Sequence, residues 1–394
     1  MPAAQPTVVL QGVETPNVSV APDDFFKYTR RLRYPMRSLS AFSGFGSSDS
    51  VSLRQTGVVS KLFVRVRGTI TATAGAATSS LWPYGLVRAF RVSANGQSNL
   101  INANGIQVKM VNLMSNPAFS SKGVARAGSQ AVGAASQTSG TLGQASEDWG
   151  TVSATNQMGP SVTGLTAASY TVDLVWEIPI SFDDKTLVGA IYAQTNATQL
   201  TVDIDWETHA NLAAAGTLTP NLSYSVWGEV FSIPNVSGRY VVPDLSAFHS
   251  LIGWRQSGLN AGDNEVLLPG TGVGRQLMRV FGQVYTGASA PGTPLAVNDT
   301  NYGQIGWRYG GNDTPEFAQN AQQLRAVNEW DYNDDIARLW GFWAYDFATA
   351  WAFRDSVDQG STTDLRVVFN LAAAPTNGVA SLVQETLFAA PVGA

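Results

Sequence analysis

The chain has no cysteine, and only 13% of its 394 residues are Asp, Glu, Lys or Arg. The first absence removes disulfides and thiolate chemistry and leaves any metal site to histidine and carboxylates. There are two histidines, His209 and His249, in separate segments, so zinc has little to bind and no Ser/Asp neighbour suggests a triad. Ordinary soluble proteins carry about 25% charged residues. Here Ser, Thr, Asn and Gln supply the polarity, as expected where much of the outside packs against other subunits, because interface cores are depleted in charge. A secreted β protein with a Thr/Ser/Asn-rich exterior has a similar composition. No run approaches 18 apolar residues, so no spanning helix is expected. Met1 to Pro6 has neither the basic nor the apolar region of a signal peptide. A net charge of −5 lacks the footprint of a nucleic-acid binder. The sequons at Asn17, Asn196, Asn221, Asn235, Asn298 and Asn312 read as chance matches in a chain rich in Asn, Ser and Thr.

What is present is a faint internal repeat. Phe63–Thr71 aligns with Leu277–Tyr285 at an offset of 214, with Arg65/Arg279, Val66/Val280 and Gly68/Gly282 identical. Tyr84-Gly85 matches Tyr302-Gly303 at an offset of 218, and Leu200–Ile204 matches Leu365–Phe369 at an offset of 165. Solenoid and propeller units recur every 20–50 residues. Copies this far apart are each the size of a domain, which predicts two similar β domains in tandem.

Strand patterns dominate. From Val58 to Ala72 apolar residues alternate with polar ones at the period of a half-buried strand. Further strands are expected at Leu86–Val92, Ile106–Leu113, Tyr170–Ile180, Gln199–Trp206 and Leu222–Ile233. The second copy offers Leu277–Tyr285, Gln304–Tyr309, Leu339–Phe347 and Leu365–Leu371. Ala94-Asn95-Gly96 and Gly310-Gly311-Asn312 are turn signals. The drop in offset places extra residues in the first copy, and Ser120–Thr166, rich in Gly, Ala, Ser, Thr and Gln, is the candidate insertion. Thr314-Pro315-Glu316 offers an N-cap, an N1 proline and a first-turn acid, and Phe317, Ala321, Leu324 and Val327 follow at helical spacing, predicting a helix over 315–328. The resulting division is an arm over 1–50, a first domain over 51–238, and a second over 239–394 with a helical insertion near 315–338. Arg239–Pro243 is the expected linker.

Few constellations suggest chemistry. Asp203, Asp205 and Glu207 share one face of a strand, like the Glu-x-Asp-x-Glu strand of jelly-roll β-glucanases, though with a shorter first acid. The repeat favours a solvated face instead, since Val368 and Asn370 stand at the equivalent places. Gly270-x-Gly272-x-Gly274 runs into a strand, not a helix, so it does not cradle a phosphate. Asp331, Asp334 and Asp335 lack the alternating spacing of a calcium loop. The segment from Phe25 to Arg37 is different. Phe25, Phe26, Lys27, Arg30, Arg31, Arg33 and Arg37 combine cations with aromatic rings, a chemistry suited to anionic lipid, to phosphates with stacked bases, or to docking on a neighbouring subunit.

Gly57–Ala74, Pro83–Val92, and Leu174–Ile191 followed by Gln199–Trp206 resemble the double jelly-roll major capsid proteins of tectivirus-like phages, tailless icosahedral phages with an internal membrane. The resemblance covers most of the first domain; the repeat and the mid-domain helix extend it to the second. It implies an all-β fold of two tandem eight-stranded jelly-roll barrels with a few short helices in insertions. It also implies a non-enzymatic coat protein without cofactors, forming a pseudo-hexagonal homotrimer that tiles an icosahedral shell. Partners would be copies of the chain, minor capsid and vertex proteins, and anionic lipid beneath the shell contacted by the basic arm, with no specific nucleic-acid binding. The location would be the virion, assembled in the host cytoplasm. A glycan-active β-sandwich protein, a phage glycanase or a host-binding lectin, is the alternative, because jelly rolls serve all these roles.

Overall fold

A computed structural model describes residues 23–94, 96–115, 140–141, 165, 167–183, 185–194, 199–233, 240–241, 245–269, 274–287, 292–308, 316–332, 341–348, 356–360 and 364–389. Sixteen principal strands fall into two sets of eight. The first set is β1 (Arg31–Ala41), β2 (Ser48–Ser52), β3 (Val58–Ala72), β4 (Val87–Ala94), β5 (Gln97–Ala103), β6 (Ser169–Pro179), β7 (Leu200–Trp206) and β8 (Leu218–Phe231). Helix α1 (Gly105–Ser115) follows β5. The second set is β9 (Ala247–Ser257), β10 (Gly262–Leu267), β11 (Arg275–Thr286), β12 (Tyr302–Arg308), β13 (Glu316–Asn320), β14 (Trp343–Asp346), β15 (Arg366–Leu371) and β16 (Val379–Ala389). Helix α2 (Ala321–Tyr332) follows β13.

Strand order repeats. The first set pairs as β1-β8-β3-β6 opposite β2-β7-β4-β5; the second pairs as β9-β16-β11-β14 opposite β10-β15-β12-β13. Each set is an eight-stranded jelly roll, and each strand has its counterpart eight places on. Among the described residues one strand pairing joins the two barrels, the parallel contact of β5 with β9, with Leu251 opposite Ile101 and Ile252 opposite Asn102. One sheet therefore runs through both barrels.

The repeat seen in sequence is β3 matched with β11 and β7 matched with β15. On β3 the residues Leu62, Val64, Val66 and Ile70 are fully buried, while Arg67 and Thr71 face water, as the period-2 pattern predicts. The shared glycine has one job in both copies. A Cβ on Gly68 would meet the Asn221 carbonyl on β8 at 2.2 Å, and one on Gly282 would meet the Ser381 carbonyl on β16 at 2.5 Å. Only glycine lets the last strand of each barrel lie so close.

Three expectations are corrected. Ile106–Leu113 is helix, not strand. Asn104 and Gln107 form a reciprocal capping box, with Gln107 N–H donating to Asn104 Oδ1 at 2.8 Å and Asn104 N–H to Gln107 Oε1 at 2.9 Å. The helix of the second barrel begins at Ala321, after a strand over Glu316–Asn320. Its cap is Asn320, whose Oδ1 accepts from Gln322 N–H at 2.9 Å. The arm expected over 1–50 is woven into the first barrel from Arg31 onward, because β1 pairs along its length with β8. Near the expected linker, Tyr240–Val241 runs parallel to Asp23–Asp24. Ser120–Thr166 lies outside the described residues except for 140–141, which add a short parallel strand beside β6, and 165. Gly310-Gly311-Asn312 and Gly270–Val273 also lie outside them.

Candidate functional site: a basic edge strand and a buried junction

β1 is an edge strand, bonded to β8 on one side only among the described residues. Alternation sends Tyr34 and Met36 against the core and leaves Arg31, Arg33 and Arg37 exposed. Arg31 and Arg33, 58% and 65% exposed, reach back to one buried carboxylate, Glu229, at 3.6 and 3.3 Å. Arg37 donates to Ser40 at 2.9 Å. Lys27 and Arg30 are exposed at the entry to the strand. Phe25 and Phe26 do not join this surface. Phe25 is buried with Val58, Leu187, Ala190 and Phe231, and Phe26 packs edge-on against Phe25 and Phe231. Closing an apolar pocket is worth more to these rings than facing water. The surface is thus a row of cations on a sheet edge. Arginines and a proline, Pro35, on an edge also discourage strand-to-strand pairing with another chain.

The second feature is the junction between barrels. β11 is buried on both faces: Val280 and Val284 point into their own barrel, while Phe281 packs with the core of the first. Arg279 lies on the junction side and is 3% exposed. Its Nε lies 3.3 Å from Asp346 on β14 and 3.3 Å from Glu385 on β16, and its guanidinium stacks 5.3 Å from the Phe182 ring of the first barrel. His249 completes the group. Its Nδ1 lies 3.2 Å from the Pro179 carbonyl at the end of β6, and its Nε2 lies 2.9 Å from Glu385. Both ring nitrogens thus face an oxygen, one from each barrel. Burial disfavours the Glu385 charge, yet Arg279 and His249 hold its carboxyl below the usual range. Burial likewise opposes the Arg279 charge, and Glu385 and Asp346 more than offset it. Tyr332 of α2 donates to Asp346, and burial pushes its phenol well up. Arg279, His249, Asp346 and Glu385 thus form one buried polar cluster inside the seam.

The acids of β7 do not form a catalytic pair. Asp205 takes Ser48 Oγ at 2.6 Å and Arg91 at 2.7 Å. Glu207 caps the turn after it, accepting from Thr208 N–H at 2.8 Å and Asn211 at 2.9 Å. Both carboxylates are spent on holding neighbouring backbone and strands. His209 accepts from Leu218 N–H at 3.0 Å. Asp331 sits near Asp346, and burial raises its carboxyl; Asp334 and Asp335 lie outside the described residues. Among the described residues no group of acids and histidines is arranged to hold a metal.

The junction residues were not singled out from sequence, although the Arg65/Arg279 identity pointed at one of them. Arg65 makes the equivalent bond on β3, to Asp173 on β6 at 2.8 and 2.5 Å. There the same face of the strand meets solvent; in the second barrel it meets the first.

No family model matches the chain, and no curated protein matches it. Solved structures do. A chain from the structure of Sulfolobus Turreted Icosahedral Virus is 15% identical, with a TM-score of 0.59 over 91% of this chain and 90% of that one. The major capsid protein of bacteriophage PM2 is 11% identical, with a TM-score of 0.50 over 93% and 100% of the two chains. A chain of the PBCV-1 virus capsid is 9% identical, with a TM-score of 0.51 over 91% and 93%. The chain has the double jelly-roll fold seen in these capsid proteins.

Proposed function

We propose that this chain is the major coat protein of an icosahedral virion of the tectivirus-like kind, built as a pseudo-hexagonal homotrimer over an internal membrane. The observation that carries the reading is the pair of barrels with one strand order, welded side by side and matching capsid proteins over nearly their whole length. Three copies of two similar barrels give a three-fold object with nearly six-fold edges, the shape needed to tile a closed shell. A charge content of 13% suits walls that pack against copies of themselves. The role is structural, and Asp205 and Glu207 are occupied in holding the fold. The exposed cations from Lys27 to Arg37 would face anionic lipid.

The test is the solution mass of the purified chain, by light scattering after gel filtration. The expected species has about three times the 41.8 kDa chain mass. A clean monomer at micromolar concentration sinks the capsomer reading.

A further inference from the structure

Where β5 meets β9 the seam opens into a cleft of about 250 Å³, lined by Arg88, Asn102, Asn104, Gln107, Trp254 and Arg255 among others. We infer that this cleft binds a small oxyanion, a phosphate or a carboxylate, held between the two barrels. Arg88 comes from the first barrel and Arg255 from the second. Among the described residues no carboxylate pairs with Arg255. The acid beside Arg88 is Asp205, whose Oδ2 lies 3.7 Å away, too far for a close hydrogen bond, while Arg91 and Ser48 hold its Oδ1 at 2.7 and 2.6 Å. Both guanidiniums therefore keep donors to offer, in the planar geometry that suits oxyanions.

A third donor is unspent. The Trp254 indole N–H is buried and has no hydrogen-bond partner among the described residues. A buried donor left unpaired is costly, and an anion in the cleft would satisfy it. Asn104 caps the N-terminus of α1 at the same place, so the helix dipole adds positive potential. Gly253 lets Gln107 pack directly against β9 as the floor, since a Cβ there would stand 2.3 Å from Gln107 Oε1. Gln107 is itself fixed, donating to Ser381 Oγ at 3.1 Å and the Leu382 carbonyl at 3.2 Å. Among the described residues no acidic side chain lines the cleft. Its volume lies below the roughly 300–1,000 Å³ of pockets for larger ligands, which fits a phosphate or one carboxylate. An anion there touches both barrels and locks the seam.

The test uses the full chain, with thermal unfolding and tryptophan fluorescence followed as sodium phosphate is added, against sodium chloride and sodium acetate at matched ionic strength. A saturable rise in Tm with phosphate is expected, above that in chloride, with a fluorescence change that disappears in Trp254→Phe. Arg255→Gln should weaken phosphate about tenfold or more, the size of one charge-assisted bond. Acetate acting as strongly as phosphate identifies a carboxylate site, filled by an acidic side chain of another copy; phosphate acting alone identifies a free tetrahedral anion. A phosphate effect no larger than that of chloride overturns the inference, as does one unchanged in Arg88→Gln/Arg255→Gln. The cleft lies within one chain, so this result is independent of the mass measurement that tests the coat-protein reading.

Discussion

Asn112 and Asn328 make the same pair of bonds in the two barrels. The Asn112 carboxamide donates to the Glu177 carbonyl at 2.5 Å and accepts from the Glu177 N–H at 3.1 Å, tying α1 to β6. The Asn328 carboxamide donates to the Ala344 carbonyl at 2.8 Å and accepts from the Ala344 N–H at 2.9 Å, tying α2 to β14. Each helix thereby serves as a lateral partner for a strand that needs one. The caps repeat too, since Asn104 and Asn320 precede their clamps by the same eight positions.

Asn328→Ala should therefore cost about 2–4 kcal/mol, because it strands a buried backbone donor and acceptor together. Asn112→Ala should cost a similar amount in the first barrel. Asn328→Asp, which keeps the acceptor but sets a buried carboxylate against the Ala344 carbonyl, should cost at least as much as alanine. Urea unfolding at fixed protein concentration reads all three, and a cost below about 0.5 kcal/mol for the alanine variants would mean that the clamps do not hold the helices.

The two arginines of the repeat should behave unequally. Arg65→Gln removes a bond that is 39% exposed on the arginine side, and exposed pairs contribute about 0–1 kcal/mol. Arg279→Gln leaves Asp346 and Glu385 facing each other without their shared cation, and breaking such a buried group costs about 3–5 kcal/mol. Equal losses in denaturation midpoint would show that the seam network is solvated.

The tandem organisation was legible because β3 and β11 share a glycine forced by close strand approach and an arginine forced by a cross-strand acid. The first helix was not legible from periodicity. Ile106, Val108, Met110, Val111 and Met114 are all buried, so α1 shows no polar face and its apolar run reads as a strand. Among the described residues the second helix buries Ala321, Leu324, Asn328 and Tyr332; of the stripe read from sequence, Ala321 and Leu324 face the core, Val327 is exposed and Phe317 belongs to β13. The signal that would have found α1 is comparison of the copies: Asn104, Gln107, Val111 and Asn112 recur as Asn320, Gln323, Val327 and Asn328 at an offset of 216. The basic arm was legible as composition, but not as an edge strand. Its pairing partner β8 lies nearly 200 positions away, and the burial of Phe25 depends on Leu187 and Phe231.

The lipid role of that edge calls for a particular choice of residues. Replacing Arg31 or Arg33 would strip cations from Glu229, which is buried, and confuse binding with stability. Arg30→Ser/Arg37→Ser leaves that group whole. Each cation near an anionic surface is worth about 1 kcal/mol, so the double variant should lose about tenfold to thirtyfold in partitioning onto phosphatidylserine vesicles, with the loss shrinking as salt is raised. Unchanged partitioning at low salt would reassign these arginines to protection of the sheet edge. Phe25→Ala should instead lower stability by about 3–5 kcal/mol and leave vesicle binding of the folded chain intact.

Lys109 carries the clearest dependence on pH. It is fully buried in α1, with its ammonium 5.1 Å from the Tyr84 ring, and burial lowers its pKa to about 7 despite the attraction of Glu177. In the unfolded chain the same lysine keeps its proton to about pH 10.5. Between those values the unfolded state binds the extra proton, so this group makes stability rise with pH from about 7 to 10 and weighs fully against the fold below 7. Lys109→Met keeps the length of the side chain and removes the charge, and Glu177 retains Lys61 at 2.7 Å. The variant should gain about 1–4 kcal/mol at pH 6. The gain should fall as pH rises and vanish near pH 10. Denaturation midpoints of both proteins across that range decide the matter: parallel curves would place the Lys109 ammonium in contact with water and remove the argument from burial.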